Sequence, residues 1–524
     1  MTWEPELEEL DRRTAFAEAM GGEQRVSDQH GRGKLTVRER IALLFDPDSF
    51  RERGKHAGTG AYDEDGDLVD FFPAGYVMGI GKVDGRRVVA GGGDFTARPP
   101  SGTDGAKVHT GRPVSKAGHD EGIALEMKLP LVRLIDGFGA DIRSTGGMGR
   151  TYVPELGGWP VEAALMSEVP VVSMPLGAVA GLPAAQVAIA HFAVMVRDMS
   201  QVFAAGPPVV QRGLGQTVTK EELGGVKIHA YESGLVDNIA EDEADAFEQV
   251  RRFLSYLPSN VYQLPPVEAC DDPPDRREEA LLDIVPRERN RPQNTRRLIS
   301  LIVDRESFFE MGRYFGRSQI TGFARLAGRP IGVIAGDPMQ FGGATDAAAA
   351  QKLESFVDLC DTFHLPLVNF HDNPGFMIGP RAEASGTLRH GARALCAIDA
   401  ATIPWATVIV RKAYGVAGAG HQPYNRFTRR IVWPSGEWGS IPIEGGVQAA
   451  YRREIENSPD PDKRRAELEA ELIAIRTPFG ALEAFNAEEM IDPRDTREVL
   501  CDWAEMAYDT LPADLGRKTR PMRP

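Results

Sequence analysis

The feature that most narrows what this chain can fold into is an internal duplication. Leu129-Pro130-Leu131-Val132, with Asp136 four residues on, returns as Leu365-Pro366-Leu367-Val368 with Asp372, an offset of 236. Upstream, Gly79 and Gly85-Arg86 return as Gly322 and Gly328-Arg329, an offset of 243; downstream, Val169-Pro170 and Gly181 return as Ile403-Pro404 and Gly415, an offset of 234. Three anchors in one order at nearly constant spacing predict two similar domains, because stacked solenoid repeats recur at periods of only roughly 20–50 residues. At 524 residues the chain also exceeds the size at which a single core stops growing. We expect an N-terminal domain over 1–270, a linker over 271–294 rich in Pro, Asp and Arg, and a C-terminal domain over 295–524.

Composition excludes several classes of function. A net charge of −16 disfavours nucleic acid and anionic membrane surfaces as partners. No run reaches the ~18 apolar residues of a membrane span, and Met1-Thr2-Trp3-Glu4-Pro5-Glu6 lacks a basic secretion leader, so a cytoplasmic location is expected. The four cysteines, Cys270, Cys360, Cys396 and Cys501, are far apart and form neither a zinc spacing nor a disulfide framework, so no metal is expected.

The local pattern is that of α/β layering. Residues 1–45 read as helical, Val69–Phe72 and Gly75–Met78 as short strands, and Glu121–Lys128 as a helix feeding the buried strand Leu129–Ile135. Residues 184–197 are apolar nearly all round and must be buried, as a helix running into a strand or as two short elements. Asp462–Glu471 reads as an exposed helix after the turn Pro459-Asp460-Pro461.

No motif announces a nucleophile. The glycine clusters Gly91–Gly93, Gly146-Gly147, Gly342-Gly343 and Gly415–Gly420 carry no Gly-Lys-Ser/Thr and no dinucleotide fingerprint. His371 and His390 have no Ser or Cys partner at a nucleophile elbow, and Asp136 and Asp372 read as turn formers or helix caps. The turns at Gly181-Leu182 and Gly415-Val416-Ala417 follow equivalent strands. Each is either a simple tight turn or a place where N–H groups at a helix start point at a developing oxyanion. Two related domains with such turns and no strong nucleophile suggest that the reactive group arrives with the substrate or cofactor.

Along nearly its whole length the chain resembles the carboxyltransferase (β) subunits of biotin-dependent acyl-CoA carboxylases, the propionyl-CoA carboxylase type. The matching stretches include His30-Gly31-Arg32-Gly33-Lys34-Leu35-Thr36, Leu254–Asn260, Leu282–Pro286, Thr321–Arg325, Arg389–Ala392 and Arg411–Gly415. The resemblance implies two tandem crotonase-like domains built from ββα turns, and a homo-hexamer. It implies that carboxybiotin, held on a separate biotin carboxylase/biotin carboxyl carrier subunit, delivers CO2 to the α or vinylogous carbon of an acyl-CoA through an enolate. By position, Gly181 and Leu182 would face biotin and Gly415, Val416 and Ala417 the thioester oxygen; Gly418, Ala419 and His421 would shape the acyl pocket. Arg32, Lys34 and Arg38 are candidates for CoA phosphates or solvated charges. No biotinyl-lysine motif of the Ala/Val-Met-Lys-Met type is present.

Three departures stand out. The family's Gly-Gly-Ala is Gly181-Leu182-Pro183, its Ser-Gly-Gly-Ala-Arg is Gly137–Asp141, and its Gly-Gly-Ala-Tyr-Asp is Gly415–Ala419. They leave open a decarboxylase of malonyl-type thioesters and a catalytically silent paralogue as alternatives.

Overall fold

The duplicated Leu-Pro-Leu-Val anchors each feed a central strand: β1, Leu131–Phe138, and its counterpart in the second half, Leu367–Asn373. In the computed structural model described here, which covers residues 2–97, 107–108, 116–139, 151, 153, 155–424, 426, 428–475 and 478–522, each half is a compact unit, one ending at Leu254 and the other beginning at Ser255. Each carries an eight-stranded sheet.

The first sheet runs Arg51–Arg53, Tyr76–Val83, Arg86–Gly93, β1, β2 (Val171–Ala180), Phe192–Val196 and Asn238–Ala240, with Gln201–Phe203 also paired to β2. The second repeats that order: Phe309–Met311, Gln319–Leu326, Arg329–Gly336, β3 (Leu367–Asn373), β4 (Trp405–Tyr414), Arg429–Val432 and Glu489–Met490, with Glu437–Gly439 beside β4. In both, the early strands pair antiparallel and the central ones parallel. Parallel strands covered on both faces become continuously apolar, and β2 and β4 are buried along most of their length.

After β2 comes helix α1, Leu182–Ala188, which leads into Phe192–Val196; the apolar run 184–197 is therefore a helix followed by a strand. After β4 comes the shorter α2, Gly415–Ala419. The start of the chain is helical over Glu4–Glu18, Glu23–His30 and Val37–Leu44, and the charged stretch at 462–471 lies in a helix over Pro461–Ala474 whose N-cap is Asp460.

The break between units falls earlier than residue 270. The Tyr256 ring stacks 6.4 Å from Phe309 and lies 5.5 Å from Phe323, while Arg325 sits over it at 4.9 Å and donates to the Ser255 carbonyl at 3.0 Å. These aromatic and cation–π contacts commit the segment after Leu254 to the second core. Likewise residues 271–294 hold only a 3-10 turn at Glu279–Leu281, yet Leu281 and Ile284 are buried in that core, so the stretch packs more apolar surface than its composition suggests.

Both aspartates of the repeat sit inside their strands, not at turns or caps. The parallel register shifts at each: Ile135 pairs with Pro175 but Gly137 with Val179, and His371 pairs with Ile409 but Asn373 with Ala413. One aspartate therefore faces three bulged residues of the neighbouring strand in both units. A bulge breaks the ladder and frees backbone groups, and in the second unit the carboxylate compensates: the Lys412 N–H donates to Asp372 Oδ1 at 3.1 Å.

Candidate active site

At the end of β2, Gly181 adopts φ 72°, ψ −135°, in the left-handed half of the map that favours glycine. Its carbonyl turns inward and accepts from the Ala184 and Ala185 N–H groups at 3.0 and 3.2 Å. The first N–H groups of a helix have no intrahelical acceptor, and among the described residues neither the Gly181 nor the Leu182 N–H is bonded. Pro183 falls in the first helical turn, where its missing N–H removes only an orphan donor and its fixed φ suits the helix. The Leu182 side chain is half exposed.

The repeat-related turn after β4 is built in the same way. Gly415 has φ 62° and opens α2, and the N–H groups of Val416 and Ala417 lie in its first turn without an acceptor among the described residues. Val416 points outward, 64% exposed, whereas Ala417 is buried. Each unit thus has a glycine-started turn whose first N–H groups have no acceptor among the described residues, an arrangement able to stabilise an oxyanion.

Behind these turns lie the bulged aspartates. Asp136 accepts from Lys34 Nζ at 2.7 Å and lies 3.7 Å from Arg40. Arg40 itself binds Glu243 at 2.6 Å and donates to the bulge carbonyl of Leu176 at 3.2 Å. A Cβ at Gly177 would collide with both Asp136 and Lys34, so the bare glycine makes room for the pair. Asp372 instead meets neutral donors, Gln293 Nε2 at 2.6 Å and the Lys412 N–H, and burial raises its pKa against their pull. Arg411 donates to the Arg291 carbonyl at 2.8 Å.

The sequence-derived candidates are distributed unevenly. Gly181, Leu182, Gly415, Val416 and Ala417 occupy the two turns. Of the three cations, Lys34 is held by Asp136 and Arg38 by Glu52 at 2.9 Å and the Ala17 carbonyl at 3.1 Å; Arg32 is exposed. Of the acyl-pocket candidates, Ala419 is exposed, but Gly418 is buried and a Cβ on it would lie 2.6 Å from the Ala413 carbonyl carbon. The backbone therefore already fills the space that a side chain at 418 would need. His421 is buried beneath the turn instead of lining an open recess, and its Nδ1–H donates to the Gly418 carbonyl at 2.9 Å. Burial pushes its pKa down to about 4, against the opposing pull of that bond. His371 packs against it, ring centroids 5.4 Å apart, and is lowered by burial and by its neighbour. Gly146-Gly147 and Asp141 lie outside the described residues. Among the described residues, no group of three or more His, Cys, Asp or Glu could hold a metal, and no helix is long and apolar enough to cross a membrane.

Sequence reasoning missed the buried polar residues under the turns: Arg40, Arg133, Ser173, Asn369 and Thr407. For the last four, the available signal was a polar residue interrupting an apolar strand at a repeat-related position, since a buried polar group is the informative exception.

With this geometry in hand, comparison with known proteins is specific. Residues 28–521 match the family model of the carboxyl transferase domain. The chain is 34% identical to the propionyl-CoA carboxylase beta chain of Roseobacter denitrificans, covering 94% of each chain. It is 35% identical to the methylmalonyl-CoA carboxyltransferase 12S subunit of Propionibacterium freudenreichii, covering 100% of this chain and 97% of that one. The methylmalonyl-CoA decarboxylase subunit alpha of Veillonella parvula is 32% identical, with coverage of 95% and 94%. Among solved structures, a transcarboxylase 12S hexamer with methylmalonyl-coenzyme A and methylmalonic acid bound superposes with a TM-score of 0.84 at 31% identity, covering 99% and 97%.

Proposed function

Because this chain belongs to the carboxyl transferase family, and is a carboxyltransferase of the acyl-CoA carboxylase type with two tandem crotonase-like domains, we propose that it moves a carboxyl group between biotin on a separate carrier polypeptide and the α-carbon of an acyl-CoA. The observation that carries this reading is the pair of repeat-related turns, Gly181-Leu182 and Gly415-Val416-Ala417, each with N–H groups that have no acceptor among the described residues.

The residues of the first turn fit a urea carbonyl. The Leu182 N–H is available, and the bare Cα of Gly139 keeps the approach open, since a Cβ there would lie 3.3 Å from that nitrogen. Biotin, when bound, supplies the carboxyl group and the ureido nitrogen that takes up the α-proton. The protein's own contribution is electrostatic. Gly181 and Leu182 polarise the urea carbonyl, while the Val416 and Ala417 N–H groups hold the charge that collects on the thioester oxygen as the enolate forms. Each well-placed donor of this kind contributes about 3 kcal/mol in other enzymes. Arg32, the exposed cation of its segment, takes a CoA phosphate, and Val416 and Ala419, exposed at the second turn, set the room for the acyl group.

The working form is a hexamer in the cytoplasm, paired with a biotin carboxylase/carrier subunit. The hexameric structural relative supports the assembly, and the missing biotinyl-lysine motif supports the separate carrier. The test is transfer of label from [14C-carboxyl]methylmalonyl-CoA to free biotin. Biotin-dependent loss of label from the thioester is expected. Release of labelled CO2 at the same rate without biotin would establish a decarboxylase instead, and no reaction with any acyl-CoA or malonyl-type thioester of a panel would establish the silent paralogue.

A further inference from the structure

The two oxyanion-bearing helices have a second end, and in both units buried side chains of the sheet hold the chain there. In the first, Ser173 Oγ on β2 donates to the Gln186 carbonyl at 2.9 Å, and Arg133 on β1 donates to the Ile189 carbonyl at 3.0 Å and to Gln186 at 3.4 Å. In the second, Thr407 Oγ1 on β4 and Asn369 Nδ2 on β3 donate to the His421 carbonyl at 2.9 and 2.8 Å, joined by Trp405 Nε1 at 3.0 Å. Arg133 pairs with Ser173 across β1 and β2, and Asn369 pairs with Thr407 across β3 and β4. Position by position these are the same sites: Arg133 and Asn369 are offset by 236, Ser173 and Thr407 by 234, the offsets of the strands that carry them.

We propose that Arg133/Ser173 and Asn369/Thr407 are repeat-equivalent positioning pairs that clamp the C-terminal ends of the turn helices to the sheet and so aim the N–H groups at their starts. The inference rests on the oxyanion reading above but concerns residues that touch no substrate.

The physical case has three parts. All four side chains are buried, and a buried polar group is retained at a cost unless it is bonded; each donates to one or two carbonyls in the last turn of a turn helix or just beyond it. The Gln186 carbonyl is one of the orphan acceptors that a helix end must satisfy, and Ile189 and His421 lie one and two residues past their helices. The helices are also short, seven and five residues, so little intrahelical bonding fixes their direction. Gly181 lies five residues from Gln186, about 8 Å at 1.5 Å per residue, and a tilt at one end moves the donors at the other. Although the chemistry of the pair has diverged, from Arg and Ser to Asn and Thr, each pair still donates to backbone carbonyls at or just beyond the end of its helix. In the first unit the anchor is itself braced, because Arg133 is paired with buried Glu162, to which Gln186 Nε2 also donates at 2.7 Å. In the second, His421 folds its Nδ1–H back onto Gly418, fastening the clamped residue to the helix it terminates.

The test uses the full-length chain with Thr407→Val, Thr407→Ser and Ser173→Ala, read by amide hydrogen exchange and by label transfer from [14C-carboxyl]methylmalonyl-CoA to free biotin. Thr407→Val removes the donor at nearly constant volume. It is expected to speed exchange of the 415–420 amides at least tenfold and lower kcat about tenfold, with KM within twofold. Thr407→Ser, which keeps the hydroxyl, is expected to recover most of both. Ser173→Ala is expected to loosen 181–186 and leave 415–420 unchanged. The proposal is overturned if exchange in these segments is the same as in the parent chain, or if Thr407→Ser loses as much as Thr407→Val. Absence of label transfer in the parent chain counts against the functional reading alone, because the exchange measurement still decides the anchor.

Discussion

Replacing Gly415 with valine tests the second turn at the point where conformation and space both bear on it. The residue sits at φ 62°, where an L side chain meets its own backbone, at a cost of roughly 1–2 kcal/mol and more for a β-branched residue. A Cβ built there would also lie 3.3 Å from the Ser440 carbonyl oxygen, tighter than ordinary contact. The turn can relieve both only by rotating toward negative φ, which swings the Val416 and Ala417 N–H groups away from their common target. Loss of one oxyanion donor lowers kcat by roughly 10²–10³, or about 2.7–4 kcal/mol. We therefore expect Gly415→Val to lower kcat about 100-fold while KM changes by no more than about threefold, because an oxyanion donor acts on charge that develops in the transition state. Gly181→Val provides the contrast: its nearest neighbour would be Gly139 Cα at 3.6 Å, so any loss there is conformational alone. Steady-state transfer between a malonyl-type thioester and biotin, with circular dichroism to verify folding, measures the effect. Unchanged turnover in a folded Gly415→Val protein would refute the oxyanion reading of that turn and leave it a structural one.

Other consequences follow from the charges behind the turns. Arg40→Met removes the guanidinium that pairs with buried Glu243 and leaves Asp136 to Lys34; removing one partner of a buried pair costs about 3–5 kcal/mol, so thermal unfolding should drop by several degrees, and an unchanged melting curve would show that the Arg40–Glu243 pair contributes no net stability. His421 falls from 6.5 to about 4 on folding, so the unfolded chain binds more proton between those values and stability is lost as pH falls through that window. The loss is on the order of 3 kcal/mol for this residue, and His421→Gln should flatten the pH dependence of unfolding between pH 6.5 and 4; an identical profile would place the acid sensitivity elsewhere. The isolated chain should give no streptavidin signal at its mass, a band there contradicting a separate carrier. Light scattering should report at least a dimer of 57.1 kDa chains and a hexamer at working concentration, whereas a fully active monomer would contradict the proposed assembly.

The sequence by itself determined the duplication, the α/β layering, the family and the two glycine turns. Each of these is written in local signals: apolar runs that can only be buried strands, and glycines at repeat-related positions where φ must turn positive. It misjudged what depends on distant partners. Asp136 and Asp372 look like caps because an aspartate after an apolar run usually is one, and only the tertiary structure reveals Asp136 as the partner of Lys34 and Arg40 and Asp372 as the acceptor for the bulged Lys412 N–H. Lys34 and Arg38 look free for phosphate until Asp136, 102 residues away, and Glu52 claim them. Gly418 suggests an empty pocket, but the backbone of Ala413 occupies the space. The Arg133/Ser173 and Asn369/Thr407 pairs are visible as letters at the repeat offset, yet their role exists only once parallel pairing brings adjacent strands under one helix end. Hydrogen bonds and ion pairs are settled by which side chains meet, and for residues this far apart in the chain the packed tertiary structure alone decides that.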